Sequence, residues 1–283
     1  MTRAAAIKGN EDENRESVRG VPHQYPQLGA LMRRAKGTKS IRWRQHSRAP
    51  NGSKVFRDES LKDSASVYHY LEYPHALSIF SEGRLRLANP SNWPDPYEHW
   101  WCRTIFGRPG PLQHASAYVL CWSRSQYDEP AWRMAGFQRT NPIVRIRCRL
   151  RDILAAASTL AEGRSGSFFT GKVGYEREEE LWRRANSVQT GQIKEVTRAA
   201  ASLLLRKRNA FRFEREVRTL WLDSEPQNTA LFLPIDAKTV VKQVMCSPYA
   251  HPDQRARIRQ EFDERFAVKV LDSKILHSPR IED

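Results

Sequence analysis

Short runs that alternate apolar and polar residues recur along this chain, and each is soon cut off by a proline, a glycine or an amphipathic stretch. Arg84-Leu-Arg-Leu-Ala88 and Ile143-Val-Arg-Ile-Arg-Cys-Arg149 have the period of two that sends apolar side chains to one face of a strand. Further strands are expected over 67–71, 117–123, 172–175, 230–235, 240–246 and 267–271, and in the stretch 211–222. Between them the spacing is helical. Tyr73–Glu82 places Ala76, Leu77, Ile79 and Phe80 on one side and stops at Gly83, a residue suited to end a helix. Helices are also expected over 129–137, 150–160, 178–207 (with Gly191 as a break point) and 252–266. Pro90, Pro94 and Pro96 forbid regular structure in Asn89–Glu98. Many short strands with intervening helices predict an α+β fold with mixed or antiparallel sheets and packed helices.

The chain's 283 residues fit one large domain with an extension. Residues 1–62 are polar and weakly periodic, with 14 Lys and Arg against 6 Asp and Glu. They read as a disordered basic N-terminal segment with a short helix around Leu28–Arg34, leaving 63–283 as a single α+β domain. That segment would serve as a secretion address, a nucleic-acid arm or a solubilising leader. The net charge of +15 attracts nucleic acid, anionic membrane or acidic partners without choosing among them. Cys102, Cys121, Cys148 and Cys246 are too far apart for a zinc pattern, and the last three read as buried thiols of a reducing compartment. No apolar run approaches the ~20 residues of a membrane helix. Met1–Lys8 lacks the hydrophobic region of a signal peptide. A cytoplasmic protein is expected, or one delivered into a target cell by a specialised secretion machine.

The richest stretch is Phe211-Arg-Phe-Glu-Arg-Glu-Val-Arg-Thr-Leu-Trp-Leu222. Read as one strand, it puts Glu214 and Glu216 on the same face about 7 Å apart, with Arg212 and Arg218 flanking them. Two carboxylates so placed form either a solvated ladder of ion pairs or a pair aimed into a site, where one stabilises developing positive charge.

In order, Tyr68-His-Tyr70, Trp93-Pro-Asp-Pro-Tyr-Glu98, Cys121-Trp-Ser123, Ala131-Trp132, Glu214-Arg-Glu-Val-Arg218 and Val244-Met-Cys-Ser-Pro248 resemble the motifs of a bacterial family known as domain of unknown function 2971. The resemblance runs from about Val67 to Pro248. It departs at Pro94, where the family has Asn, and at Ala135, where the family has a tyrosine. A looser resemblance, carried by His69, Ser123-Arg-Ser125 and Glu214-Arg-Glu216, is to ADP-ribosyltransferases. It implies a split β core and NAD as substrate. Glu216 would then face the ribose as nicotinamide leaves, and Glu214 would orient or deprotonate an acceptor. His69 would bond the adenosine ribose, Tyr68, Tyr70 and Trp132 would stack on the rings, and Ser123 and Ser125 would line the ligand. The plainer alternatives are core packing for His69, the tyrosines and the tryptophan, and turn capping for the serines.

Three functions follow. One is transfer of ADP-ribose from NAD to a macromolecular acceptor, protein or nucleic acid, as a secreted effector or toxin or within the cell. A second is non-catalytic nucleic-acid binding by the basic segment, including Trp43 and His46. A third is a metal-dependent nuclease using Asp95 and Glu98. Against the third, the prolines make Asp95 a turn former, with Glu98 pairing to an arginine. There is no zinc pattern and no glycine-rich phosphate loop.

Overall fold

The computed structural model describes residues 40–90, 93, 95–98, 116–126, 128–189, 196–223 and 230–276. Leu28–Arg34, Cys102, Pro94 and Gly191 fall outside them. The chain is α+β, as expected. Among the described residues, eleven strands join in one mixed sheet and two more pair separately.

In chain order the strands are β1 (Trp43–Arg48), β2 (Lys54–Asp58), β3 (Ser66–Glu72), β4 (Arg84–Ala88), β5 (Ser116–Ser123), β6 (Ile143–Arg149) and β7 (Gly166–Lys172). They continue with β8 (Gly174–Glu176), β9 (Arg206–Arg208), β10 (Glu216–Asp223), β11 (Ala230–Pro234), β12 (Val241–Cys246) and β13 (Val270–Asp272). The helices are α1 (Tyr73–Glu82), α2 (Glu129–Gly136), α3 (Leu150–Gly163), α4 (Glu178–Gln189), α5 (Val196–Leu204), α6 (Ala237–Val240) and α7 (Pro252–Phe266). None of the described helices is long and apolar enough to cross a membrane.

The main path runs β1-β2-β7-β10-β5-β3-β6-β12-β13, with β4 attached to β5 and to β11. Alternation along β10 divides the core. Val217 and Trp221 join the apolar cluster beneath α1, α3 and α7, whereas Leu220 and Leu222 join a second cluster beneath α4 and α5. Glu216 and Arg218 share the face of Leu220 and Leu222, so the strand's polar end continues the floor under α5.

Strands form within the segment 1–62 that was expected to be disordered. Residues 43–58 form β1 and β2, and β2 pairs in parallel with β7. Val55 is fully buried and Phe56 stacks on Phe169 at 4.9 Å. The 178–207 helix divides into α4 and α5 and gives way to β9. Gly83 ends α1 in the left-handed conformation, with φ +62°.

Candidate active site

The site forms where the sheet divides. Along one edge, β5 pairs continuously with β10, from Glu216 opposite Ser123 to Asp223 opposite Ser116. Along its other edge, β5 pairs with β3 only at Tyr68 opposite Ser123 and with β4 only at Ala88 opposite Val119. Between these points a side chain replaces the ladder: His69 Nδ1 lies 2.9 Å from the Cys121 carbonyl oxygen. A carbonyl only accepts, so Nδ1 carries the proton and Nε2 is left as a bare acceptor. Burial lowers the imidazole pKa to about 4, and the ring is neutral in the physiological range. Trp122 meets it edge-on at 5.6 Å.

His69 borders a cavity of about 610 Å³ that also contains Tyr68, Tyr70, Ser123, Glu214 and Glu216. Six of the eight residues anticipated from the sequence therefore meet in one cleft. Their arrangement differs from expectation at the glutamates. Asn209–Glu214 is a 3-10 turn, and β10 begins only at Glu216. Arg215 joins the two in the left-handed region, φ +47°, at a cost of about 1–2 kcal/mol for a residue with a Cβ. Glu214 and Glu216 thus converge from two elements instead of sharing a strand face. Arg212 sits exposed on the turn, and only Arg218 shares the face of Glu216.

What joins the glutamates is Lys207 from β9. Its Nζ lies 2.6 Å from Glu214, 3.8 Å from Glu216 and 3.9 Å from Glu98. Arg218 adds a two-pronged contact to Glu216, Nε to Oε1 at 2.9 Å and Nη2 to Oε2 at 3.0 Å, and it also donates to Glu98. Burial pushes the Glu216 carboxyl up, but Arg218 and Lys207 outweigh it and hold the group below the usual carboxylate range. For Glu214 burial prevails over Lys207, and its pKa is raised. The two acids are therefore driven apart in strength, as suits an anion that stays ionised beside a base that takes a proton.

The remaining residues divide by role. Arg145 lies over the Tyr68 ring at 4.7 Å. Trp132 does not reach the cleft. It is the buried residue of α2, and it meets Tyr70 edge-on at 4.8 Å, so it supports that ring from behind. Ser123 Oγ donates to Asp128 at 2.9 Å and accepts the Ser125 amide at 3.1 Å. Asp128 caps α2 through the Ala131 amide. Ser123 thus holds a turn while touching the cleft, and Ser125 does not line it. Asp95 accepts the Tyr97 amide at 2.9 Å and pairs with Arg208 at 3.2 Å, the turn-forming role expected of it. Glu98 pairs with Arg218, the arginine it was expected to find. Among the described residues no group of three His, Cys, Asp or Glu is arranged to hold a metal ion.

Several contributors escaped the sequence reading. Lys207, Arg208, Phe211 and Phe213 line the cleft, and Trp93 lies 4.6 Å from the Arg218 guanidinium. The available signal was Lys207-Arg208 shortly before an acidic pair, two cations in reach of two anions. A second cavity of about 460 Å³ shares His69, Trp93 and Cys121 with the first and carries His75, Arg84 and Arg86. Cys121 is half-buried between them, its thiol pushed well up by burial and then by Glu216. Cys148 and Cys246 are buried, as anticipated, and all three are unbridged.

The chain matches no family model and no curated protein, so the resemblance to domain of unknown function 2971 finds no match behind it. Among solved structures it is similar to Thermus sp. 2.9 DarT in complex with NAD+, at 16% identity over 76% of this chain and 98% of that one, with a TM-score of 0.32. Complexes of that protein with ADP-ribosylated ssDNA and with carba-NAD+ give TM-scores of 0.34 and 0.33 at the same 16% identity and 76% coverage of this chain, with 97% and 98% of the other chain covered. A likeness this distant assigns no residue roles here.

Proposed function

We propose that the protein is an ADP-ribosyltransferase-like enzyme that cleaves NAD between nicotinamide and ribose and passes ADP-ribose to a macromolecular acceptor. The observation that carries this reading is the charge of the cleft. In a chain of net charge +15, its walls hold five carboxylates (Asp95, Glu98, Asp128, Glu214, Glu216) against three cations (Lys207, Arg208, Arg218), and its histidine is neutral. Such a hollow repels phosphate and favours a cationic group between aromatic walls. Nicotinamide in NAD is a flat cation, and the ribosyl centre it leaves behind is a second one.

In this reading the glycosidic bond breaks with its electron pair leaving on nicotinamide, which departs neutral. Glu216, kept ionised by Arg218 and Lys207, faces the positive ribosyl carbon. The acceptor's nucleophile bonds to that carbon, and its proton passes to Glu214, the carboxylate with the raised pKa. Nε2 of His69 accepts from a ribose hydroxyl. The neighbouring cavity, with Arg84, Arg86 and His75, takes the diphosphate side, and both volumes lie in the range of small-molecule sites. Exposed Arg124, Arg212 and Arg215 adjoin lining residues, beside Phe213, which favours an anionic acceptor such as nucleic acid.

Specific contacts weaken the alternatives. Trp43 is spent on packing: its Nε1 donates to Ser202 and its ring meets Phe169 edge-on, so it is not a free stacking arm. Asp95 and Glu98 are each paired with an arginine, which leaves a nuclease without a metal-binding pair.

The test is incubation with NAD labelled in its adenylate half, with nicotinamide release and labelled product both followed. Glu216→Gln is expected to lower both by about 100-fold or more while circular dichroism is retained. Wild-type turnover in that variant would overturn the proposal.

A further inference from the structure

We propose that Arg218 and Glu98 are positioning residues that fix the plane of the Glu216 carboxylate. This rests on the reading of Glu216 as the carboxylate that faces the ribosyl cation.

A glutamate side chain turns about three bonds, and a site that must meet one carbon at one angle has to restrain all three. Arg218 lies two residues on along the same face of β10. Its Nε and Nη2 each donate to a different oxygen of Glu216, at 2.9 and 3.0 Å. A planar fork bonded to both oxygens holds the carboxylate in its own plane. The fork is held in turn from three sides. Nη1 donates to the Leu204 carbonyl at 2.8 Å, Nη2 also donates to Glu98, and Trp93 covers the guanidinium at 4.6 Å. Arg218 is 1% exposed, Glu216 5% and Glu98 6%, so water does not loosen the set.

Charge alone does not account for this arrangement. Lys207 already places a cation 3.8 Å from Glu216. Moreover, a buried ion pair adds little net stability over apolar packing, because desolvation offsets the attraction. What an arginine supplies and a lysine does not is direction. Each carboxylate oxygen has two lone pairs, and the fork occupies one on each. Of the other two, one meets the Cys121 thiol and one remains for the substrate on the cleft side. Glu98 acts at one remove: it stops the guanidinium from rotating away.

The experiment uses Arg218→Lys, which keeps the charge and loses the fork, and Glu98→Gln, which keeps the shape and weakens the anchor. Arg218→Lys is expected to lower kcat for nicotinamide release at least tenfold, on the scale by which small misplacements act, with KM for NAD within about twofold. Glu98→Gln is expected to lower kcat by less, in the same direction. A kcat within twofold of wild type in Arg218→Lys would overturn the proposal. Crystal structures of the wild-type protein and both variants provide a readout independent of turnover. The Glu216 plane is expected to turn in Arg218→Lys by more than the roughly 10–20° a catalytic constellation tolerates. An unmoved plane overturns the positioning role even if no NAD is consumed. Wild-type turnover in Glu216→Gln instead removes the functional reading and leaves the crystallographic result to decide the clamp.

Discussion

His69 and Cys121 are joined by a side-chain hydrogen bond of 2.9 Å at the place where β3 and β5 cease to pair. The bond closes the root of the split and fixes which nitrogen faces the cleft. Burial of the ring sets a pH dependence, which the bond to Cys121 opposes but does not cancel. The folded imidazole has a pKa of about 4 against an ordinary value of 6.5. Between these values the unfolded chain binds the extra proton and the folded one does not. Stability is therefore full above 6.5 and is lost as pH falls toward 4, by up to about 3 kcal/mol. Urea titrations of wild type and His69→Asn from pH 8 to 4 check this: the wild type should show the added slope, and the variant should lack it. Parallel curves would show that His69 is not held neutral.

Lys207 carries the charge balance of three carboxylates. Its own pKa is raised, because Glu216 and Glu98 outweigh the burial that opposes them. Its contribution is accordingly present at neutral pH and lost only as pH rises through that elevated value. Lys207→Met leaves Glu98, Glu214 and Glu216 with Arg218 alone. At pH 7 the variant should be less stable by about 3 kcal/mol, and the deficit should shrink toward pH 4.5 as carboxylates take up protons. The acid limb of any NAD-cleaving activity should move to higher pH. A deficit that grows on acidification would contradict the network as drawn.

Local pattern made much of this fold legible. Arg84–Ala88 and Ile143–Arg149 alternate cleanly, and they form strands over just those residues. Tyr73–Glu82 and Pro252–Phe266 likewise keep their expected bounds. The failures have physical causes. β7 reads Gly-Ser-Phe-Phe-Thr-Gly-Lys, and its glycines lower strand propensity. Gly166, at φ +150°, is needed where an added Cβ would lie 2.6 Å from the Leu222 carbonyl oxygen. β1 and β2 lie in a polar, arginine-rich stretch, and it is the pairing of β1 with β2 and of β2 with β7, together with the cover from Phe169, that makes them strands. In the site, the residue types were readable but the Arg215 turn was not, since a left-handed arginine has no local signal.

The strands within residues 43–58 yield a stability prediction. A chain starting at Asp63 lacks β1 and β2, and so exposes the β7 edge together with Phe168 and Phe169, both fully buried in the intact protein. Its thermal midpoint should fall by more than about 10 °C, or the protein should be insoluble. An unchanged midpoint by calorimetry would return residues 43–58 to the status of a dispensable leader.

Glu214 offers the sharpest separation of the two carboxylate roles. It sits outside the fork of Arg218, on a turn, with Lys207 at 2.6 Å and a raised pKa. No arginine fork holds it as Arg218 holds Glu216, and under the proposed function its chemistry suits proton acceptance from an incoming nucleophile. Glu214→Gln should therefore reduce transfer of label to the acceptor by about 100-fold, at least tenfold more than it reduces nicotinamide release. The two rates are measured in one incubation. The wild-type transfer should fall as pH drops through the raised value of Glu214, and the variant's remaining transfer should lack that acid limb, because the group whose ionisation governed it is gone. Equal losses in both rates would place Glu214 in bond cleavage instead, and Glu216 and Glu214 would then act as one anionic unit around Lys207.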